Sequence, residues 1–162
     1  MQEIFLVRHG SYDYNTGRLN EVGREQSQQA LRELVALGAG NVALVLSSDA
    51  PRALETSEII AEGLGAQVVP SKRMQLSALD PSAVQSLDAC ISLCLWEWGV
   101  PSSEQLVVVA HEPLLQVAVY QEHKGSTPHL DNGAVVKYQP GTWVNPSFID
   151  IFADLLEGEL RS

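Results

Sequence analysis

Short apolar runs alternate along this chain with longer segments in which apolar residues recur at helical spacing. The clearest runs are residues 4–7, 42–46 and 106–110. Each has the length and composition of a strand that is buried on both faces. Strands alternating with helices predict an α/β fold, a three-layer sandwich whose mostly parallel central sheet carries helices on both faces. The 162 residues fit a single domain over residues 1–162.

Capping residues set the expected limits of the helices. Asn20 is predicted to cap a helix that ends before Gly38, and Asp49 to cap a second helix that runs to about residue 62. Cys90 and Cys94 are four residues apart, on one face of a later helix, and are expected to be buried thiols. The other predicted elements are strands over residues 67–69 and 134–138 and helices beginning at Pro81, Glu112 and Pro146.

The charge balance limits the classes of partner. Ten Lys and Arg face twenty Asp and Glu, a net charge of −10. This argues against nonspecific binding to nucleic acid or to an anionic membrane, because both need cations. No apolar run approaches the ~18 residues of a membrane span, and Glu3 stands where a signal peptide carries Lys or Arg. We therefore expect a cytoplasmic monomer or small homo-oligomer with no nucleic-acid or membrane partner.

Unusual polar residues follow three of the predicted strands. Arg8 and His9 come after the first strand, residues 47–52 after the second, and His111 after the fourth. In parallel sheets, ligands gather beyond the carboxyl ends of the strands. The sequence therefore predicts a site in which these residues meet.

The residue types in this set favour phosphate chemistry. A guanidinium offers two parallel N–H donors to phosphate oxygens, so Arg8 and Arg52 suit a dianion. A neutral imidazole can act as a nucleophile, which gives His9 or His111 a role in phosphoryl transfer. Two histidines could instead bind a metal, but no third ligand stands near either of them at a metal-site spacing. We expect no metal and no cofactor.

Five segments, in order, resemble the motifs of the histidine phosphatase (phosphoglycerate mutase-like) superfamily. The resemblance spans residues 4 to about 138 and implies that superfamily's phosphoglycerate mutase-like fold. The segments are Leu6-Val7-Arg8-His9-Gly10, Arg18 to Gln26, Ser47 to Thr56, Val108 to Pro113, and Asn132-Gly133-Ala134.

The resemblance assigns roles to individual residues. It implies that His9 is the nucleophile that becomes phosphorylated, and that Arg8, Arg52 and His111 bind the phosphate. Asn15 matches a phosphate-binding Asn of the family, although a plain turn residue beside Gly17 is an equal interpretation. Arg18 is either a cation at the rim of the site or an exposed loop residue. Tyr12 stands where the family has Thr.

One family feature is missing from its expected place. Gln75 stands about where many members carry the Glu that protonates the leaving group, and Gln cannot donate that proton. The general acid is then Asp80, Asp13 or Glu112, or there is none. Asp80 also has a plain interpretation as a helix N-cap.

The expected function follows from the small size and the missing Glu. The resemblance implies a phosphatase of the short branch, similar to bacterial phosphohistidine phosphatases, acting on a phosphorylated protein. Imidazole leaves without the proton that an alkoxide needs. The alternatives are a phosphatase for small phosphate esters or phosphoserine and phosphothreonine proteins, and an inactive phosphate-binding module.

Overall fold

The computed structural model describes residues 2–72, 81–111 and 132–138, and for residues 81–88 the backbone alone. Within these residues the chain forms five strands and three helices, and the strands build one sheet. The elements are β1 (Ile4–Arg8), α1 (Glu21–Ala36), β2 (Val42–Ser48), α2 (Pro51–Leu64), β3 (Gln67–Ser71), α3 (Pro81–Glu97), β4 (Gln105–Ala110) and β5 (Val135–Tyr138).

The sheet is mixed but mostly parallel, with the strand order β3-β2-β4-β1-β5. β4 pairs in parallel with both β1 and β2, whereas β5 runs antiparallel to β1 at the edge. Arg8 is in register with Ala110, and Ser47 is in register with Val109. The carboxyl ends of β1, β2 and β4 therefore lie side by side at one edge of the sheet.

Helices cover both faces of the sheet, which confirms the predicted three-layer sandwich. Phe5 and Val7 of β1 face α1 and α2, in a core that includes Leu34 and Ile60. The alternate residues of the same strands face α3, whose Ile91 is buried against them. Each strand thus buries both sets of its side chains, as a near-continuous apolar run predicts. Cys90 and Cys94 are buried thiols in the second of these cores, as expected.

The helix caps agree with the sequence in one case and differ in another. The Asn20 side chain accepts a hydrogen bond from the Gly23 N–H at 2.8 Å and caps α1, as predicted. The predicted capping role of Asp49 is wrong, since Ala50 is the N-cap of α2 and makes no side-chain capping bond. The physical reason is Pro51, which occupies the first helical position, where its missing N–H costs nothing and its φ is already helical.

Two predicted elements, the helices beginning at Glu112 and Pro146, lie outside the described residues. The β5 strand agrees with the strand predicted over residues 134–138. In the part of the chain that the structure describes, no helix is both long and apolar enough to cross a bilayer.

Candidate active site

The imidazole rings of His9 and His111 face each other at the carboxyl edge of the sheet. Their centroids are 5.1 Å apart and their planes are inclined by 64°. The cause is the register of two central strands, because Arg8 of β1 pairs with Ala110 of β4 and each histidine is the next residue. A bond from the His9 N–H to the Ala110 carbonyl, at 3.2 Å, continues this pairing past the strand ends. The sequence-based prediction that these strand ends meet is correct.

His9 is held as a neutral imidazole with one nitrogen free to react. Its Nδ1 lies 2.8 Å from the Gly10 carbonyl oxygen, which can only accept, so Nδ1 carries the proton and Nε2 keeps its lone pair. The residue is only 5% exposed. The pKa of His9 is lowered from 6.5 to about 4, and burial is the main cause. The hydrogen bond to Gly10 acts to raise the pKa, whereas the charges of Arg52 and Arg8 act to lower it. At neutral pH this nitrogen is therefore available as a nucleophile.

His111 is also neutral, and it contacts the end of β2. Its Nε2 lies 2.8 Å from the Ser48 hydroxyl oxygen. The pKa of His111 is lowered from 6.5 to about 4, mainly by burial and to a smaller extent by the nearby His9, Arg52 and Arg8. An imidazole surrounded by cationic groups in this way is poised to donate a hydrogen bond to an anion.

Arg52 lies in the first turn of α2, as predicted, and its guanidinium rests on an aromatic ring. Its Cζ is 4.5 Å from the centroid of the Tyr12 ring, a cation–π contact. The Arg52 Nε is buried and has no hydrogen-bond partner among the residues that the structure describes. A buried guanidinium donor without an acceptor lowers the stability of the fold, and a bound anion that accepts its hydrogen bond removes this cost. The charges of Arg52 and Arg8 both act on the two histidines, so the site is locally cationic in a chain of net charge −10.

A contact between two glycines places the loop that follows β1. A Cβ atom on Gly10 would collide with the backbone of Gly23 in the first turn of α1. A Cβ atom on Gly23 would collide with the Ser11 carbonyl. Both positions therefore need glycine for close approach of two backbones, and this approach lets the His9 loop lie against the helix.

Thr56 ties the same loop to α2. Its Oγ1 accepts the Gly10 N–H at 3.1 Å and donates to the Arg52 carbonyl at 2.9 Å. Thr56 is fully buried, so both bonds are shielded from water. One hydroxyl thus fixes the position of the His9 loop relative to the helix turn that carries Arg52.

The remaining predicted residues in the loop lie at the surface. Asn15 and Asp13 are exposed, and the Asn15 N–H donates to the Asp13 carboxylate at 2.8 Å. Arg18 has a side chain that is 69% exposed and forms an ion pair with Glu55 at 3.2 Å. Glu55 is three residues beyond Arg52 on α2, so the ion pair holds the Arg18 side chain against the helix that carries Arg52.

Two candidates for the general acid, Asp80 and Glu112, lie outside the described residues, as does Gln75. The third candidate, Asp13, is exposed and accepts the Asn15 N–H. Within the described ranges, no group of three or more His, Cys, Asp or Glu side chains has the arrangement of a metal site.

Known proteins resemble this chain over its first half. Residues 4–75 match the model of the histidine phosphatase superfamily, branch 1. Over this part of the chain, the sequence is similar to the histidine phosphatase superfamily. A probable phosphoglycerate mutase from Cronobacter sakazakii is 33% identical over 84 residues, which cover 46% of this chain and 38% of that protein. The chain spans less than half the length of the curated relatives that it matches.

Solved structures of two phosphatases share the fold. A mycobacterial glucosyl-3-phosphoglycerate phosphatase superposes with a TM-score of 0.65 at 18% identity, covering 85% of this chain and 92% of that one. A putative phosphohistidine phosphatase from Agrobacterium tumefaciens superposes with a TM-score of 0.58 at 16% identity, covering 84% and 90%. At these identities the likeness establishes the fold alone.

Three residues of this candidate site received no role from the sequence. Ser48 contacts His111, Thr56 bridges the His9 loop and α2, and Tyr12 lies under Arg52. The available signals were two serines directly after an apolar strand and an aromatic residue where the family has Thr. Neither signal predicts which residue each side chain contacts, because these contacts form between segments that are distant in sequence.

Proposed function

We propose that this chain is a phosphatase that removes the phosphoryl group from a protein phosphohistidine by way of a phosphorylated His9. The observation that carries the proposal is the state of His9, a buried neutral imidazole whose Nδ1–H is held by Gly10. Its Nε2 has no hydrogen-bond partner among the described residues. The opposing His111 and the buried guanidinium of Arg52 supply donors where the phosphoryl oxygens would lie.

In the first step, the His9 Nε2 lone pair attacks phosphorus. The bond from phosphorus to the substrate nitrogen breaks, and the electron pair leaves with that nitrogen. His9 then carries the phosphoryl group on Nε2 and a proton on Nδ1, and the Gly10 carbonyl stabilises the resulting positive ring. No proton needs to leave His9 during the attack.

The cationic donors stabilise charge on the phosphoryl group in flight. The transition state of phosphoryl transfer spreads negative charge over three equatorial oxygens, and catalysis consists largely of positioning and charge stabilisation. We assign Arg8, Arg52 and His111 to these oxygens. Arg52 has a donor available for this role, because its Nε is buried and has no acceptor among the described residues.

In the second step, water attacks phosphorus and the bond to Nε2 of His9 breaks. His9 departs as the neutral imidazole with Nδ1 still protonated, so this step also needs no acid for the leaving group. The products are inorganic phosphate and the starting enzyme, and the proton lost by water goes to the phosphate or to solvent.

The choice of phosphohistidine rests on the leaving group. A substrate imidazole whose second nitrogen is protonated leaves as a neutral molecule, and its conjugate acid has a pKa near 6.5. An alkoxide needs a proton in the transition state, and Gln75 cannot supply one. Transfer from one imidazole to another is also close to balanced in energy, because the bond formed and the bond broken are alike.

A small phosphate ester is the second candidate substrate. The curated relatives at about a third identity are named as probable phosphoglycerate mutases, whose named substrate is such an ester. In this case a carboxylate, Asp80, Asp13 or Glu112, would have to donate the proton. Asn15 and Arg18 are the candidates for contacts beyond the phosphoryl group.

A matched panel of substrates tests the proposal. The substrates are a phosphohistidine protein, a phosphoserine peptide, a sugar phosphate and p-nitrophenyl phosphate, each with wild type and His9→Ala in the presence of EDTA. We expect phosphohistidine to give the highest kcat/KM and His9→Ala to be inactive. Preference for the sugar phosphate would select the second candidate, and no turnover of p-nitrophenyl phosphate would indicate an inactive binding module. Activity that needs added Zn²⁺ would reassign the histidines as metal ligands.

A further inference from the structure

Ser48 is a buried hydroxyl that joins the two central strand ends of the site. It is fully buried at the end of β2, and its Oγ lies 2.8 Å from Nε2 of His111, which follows β4. The neighbouring residue pair, Ser47 and Val109, is in register between the same strands. The contact is therefore built by the sheet itself and not by a flexible loop.

The hydrogen-bond capacity of Ser48 limits what it can do for His111. A hydroxyl has one hydrogen to donate and two lone pairs. The N–H of Ala50, the N-cap of α2, donates to the Ser48 oxygen at 3.3 Å and occupies one lone pair. One lone pair and the hydroxyl hydrogen remain, and Nε2 of His111 is the acceptor within reach of that hydrogen among the described residues. A neutral imidazole that accepts at Nε2 must carry its proton on Nδ1.

We propose that Ser48 is a positioning residue that fixes His111 in the tautomer with the proton on Nδ1. Nδ1 of His111 has no hydrogen-bond partner among the residues that the structure describes, so its N–H is left for an oxygen of the phosphoryl group. The two histidines would then share one tautomer and divide the work, since His9 presents a lone pair and His111 presents a donor. The benefit of this tautomer rests on the proposed phosphoryl transfer, whereas the contact between Ser48 and His111 does not depend on it.

Nitrogen NMR of labelled protein tests the tautomer without any substrate. In wild type at neutral pH, we expect Nδ1 of His111 to show the shift of a protonated ring nitrogen and Nε2 that of an unprotonated one. In Ser48→Ala, we expect a mixture of tautomers or the reverse tautomer. Ser48→Thr keeps a hydroxyl and should restore the wild-type pattern. Ser47→Ala is the matched control, because Ser47 is equally buried but donates to the Ser48 carbonyl and does not contact His111.

The kinetic readout is kcat/KM for p-nitrophenyl phosphate. We expect a loss of about tenfold in Ser48→Ala, the scale of one hydrogen bond, and near wild-type values in Ser47→Ala and Ser48→Thr. Wild-type His111 with its proton on Nε2, or an unchanged tautomer in folded Ser48→Ala, would overturn the proposal. A tautomer change on substitution in a protein without phosphatase activity would support the role of Ser48 and reject the proposed function instead.

Discussion

The ring centroids of His9 and His111 lie 5.1 Å apart, and the pKa of each ring is lowered to about 4. Two nearby arginines, Arg52 and Arg8, contribute to both shifts. Burial is the main cause for both, and a charge on one ring would repel a charge on the other. A neutral His9 can attack phosphorus without first losing a proton, and the positive charges of Arg52 and Arg8 attract the anion.

This relationship predicts how stability depends on pH. Both pKa values fall from 6.5 to about 4 on folding, so between these values the unfolded chain binds more protons than the folded one. Stability should therefore rise with pH across this window, and the contribution should be lost as the pH falls from about 7 towards 4. Urea unfolding of wild type and of His111→Asn at a series of pH values checks this. Equal pH dependence in both proteins would contradict the assignment for His111.

The arginine on α2 should not tolerate replacement by lysine. Arg52→Lys keeps the charge but loses the planar fork of donors that matches a phosphate. We expect kcat/KM to fall by about 10²-fold or more, the scale of one transition-state donor. Arg32→Lys is the control, because Arg32 is exposed on α1 and contacts Gln29. Wild-type activity in Arg52→Lys would mean that its guanidinium does not bind the phosphoryl group.

The sequence predicted which residues lie together at the site better than it predicted the contacts that hold them there. Strand ends can be located from apolar runs, and that placed His9, His111 and Arg52 together. The capping role of Asp49 was wrong because Pro51 sets the first turn of α2. The need for glycine at positions 10 and 23 comes from one backbone lying against another across the fold. Such contacts join segments that are distant in sequence, and no local pattern reports them.

The aromatic ring of Tyr12, and not its hydroxyl, should support catalysis. The Arg52 guanidinium lies 4.5 Å from the ring centroid, and the ring also meets His9 edge-on at 5.6 Å. A cation–π contact that is partly shielded contributes ~0.5–2 kcal/mol. Tyr12→Leu should therefore lower kcat/KM severalfold, whereas Tyr12→Phe should keep most of the activity. If the Phe variant fell as far as the Leu variant, the hydroxyl and not the ring would be the important group.

The missing Glu predicts a steep dependence on the leaving group. Aryl phosphates and phosphohistidine should be turned over faster than alkyl phosphates by about 10²–10⁴-fold, the usual gain from a general acid. Gln75→Glu should speed alkyl phosphates selectively. The measurement is kcat/KM over a series of leaving groups for both proteins, with Gln29→Glu on the exposed face of α1 as the control. A flat series in wild type would show that Asp80, Asp13, Glu112 or another group already donates the proton.

Trapping the phosphorylated enzyme tests the central claim most directly. Wild type is mixed rapidly with a phosphohistidine protein, denatured in alkali to preserve phosphohistidine, digested and analysed by mass spectrometry. The account predicts one phosphoryl group on the peptide that contains His9, and none in His9→Ala, which should remain folded and inactive. Turnover by His9→Ala, or a phosphoryl group found on His111 and not on His9, would contradict it.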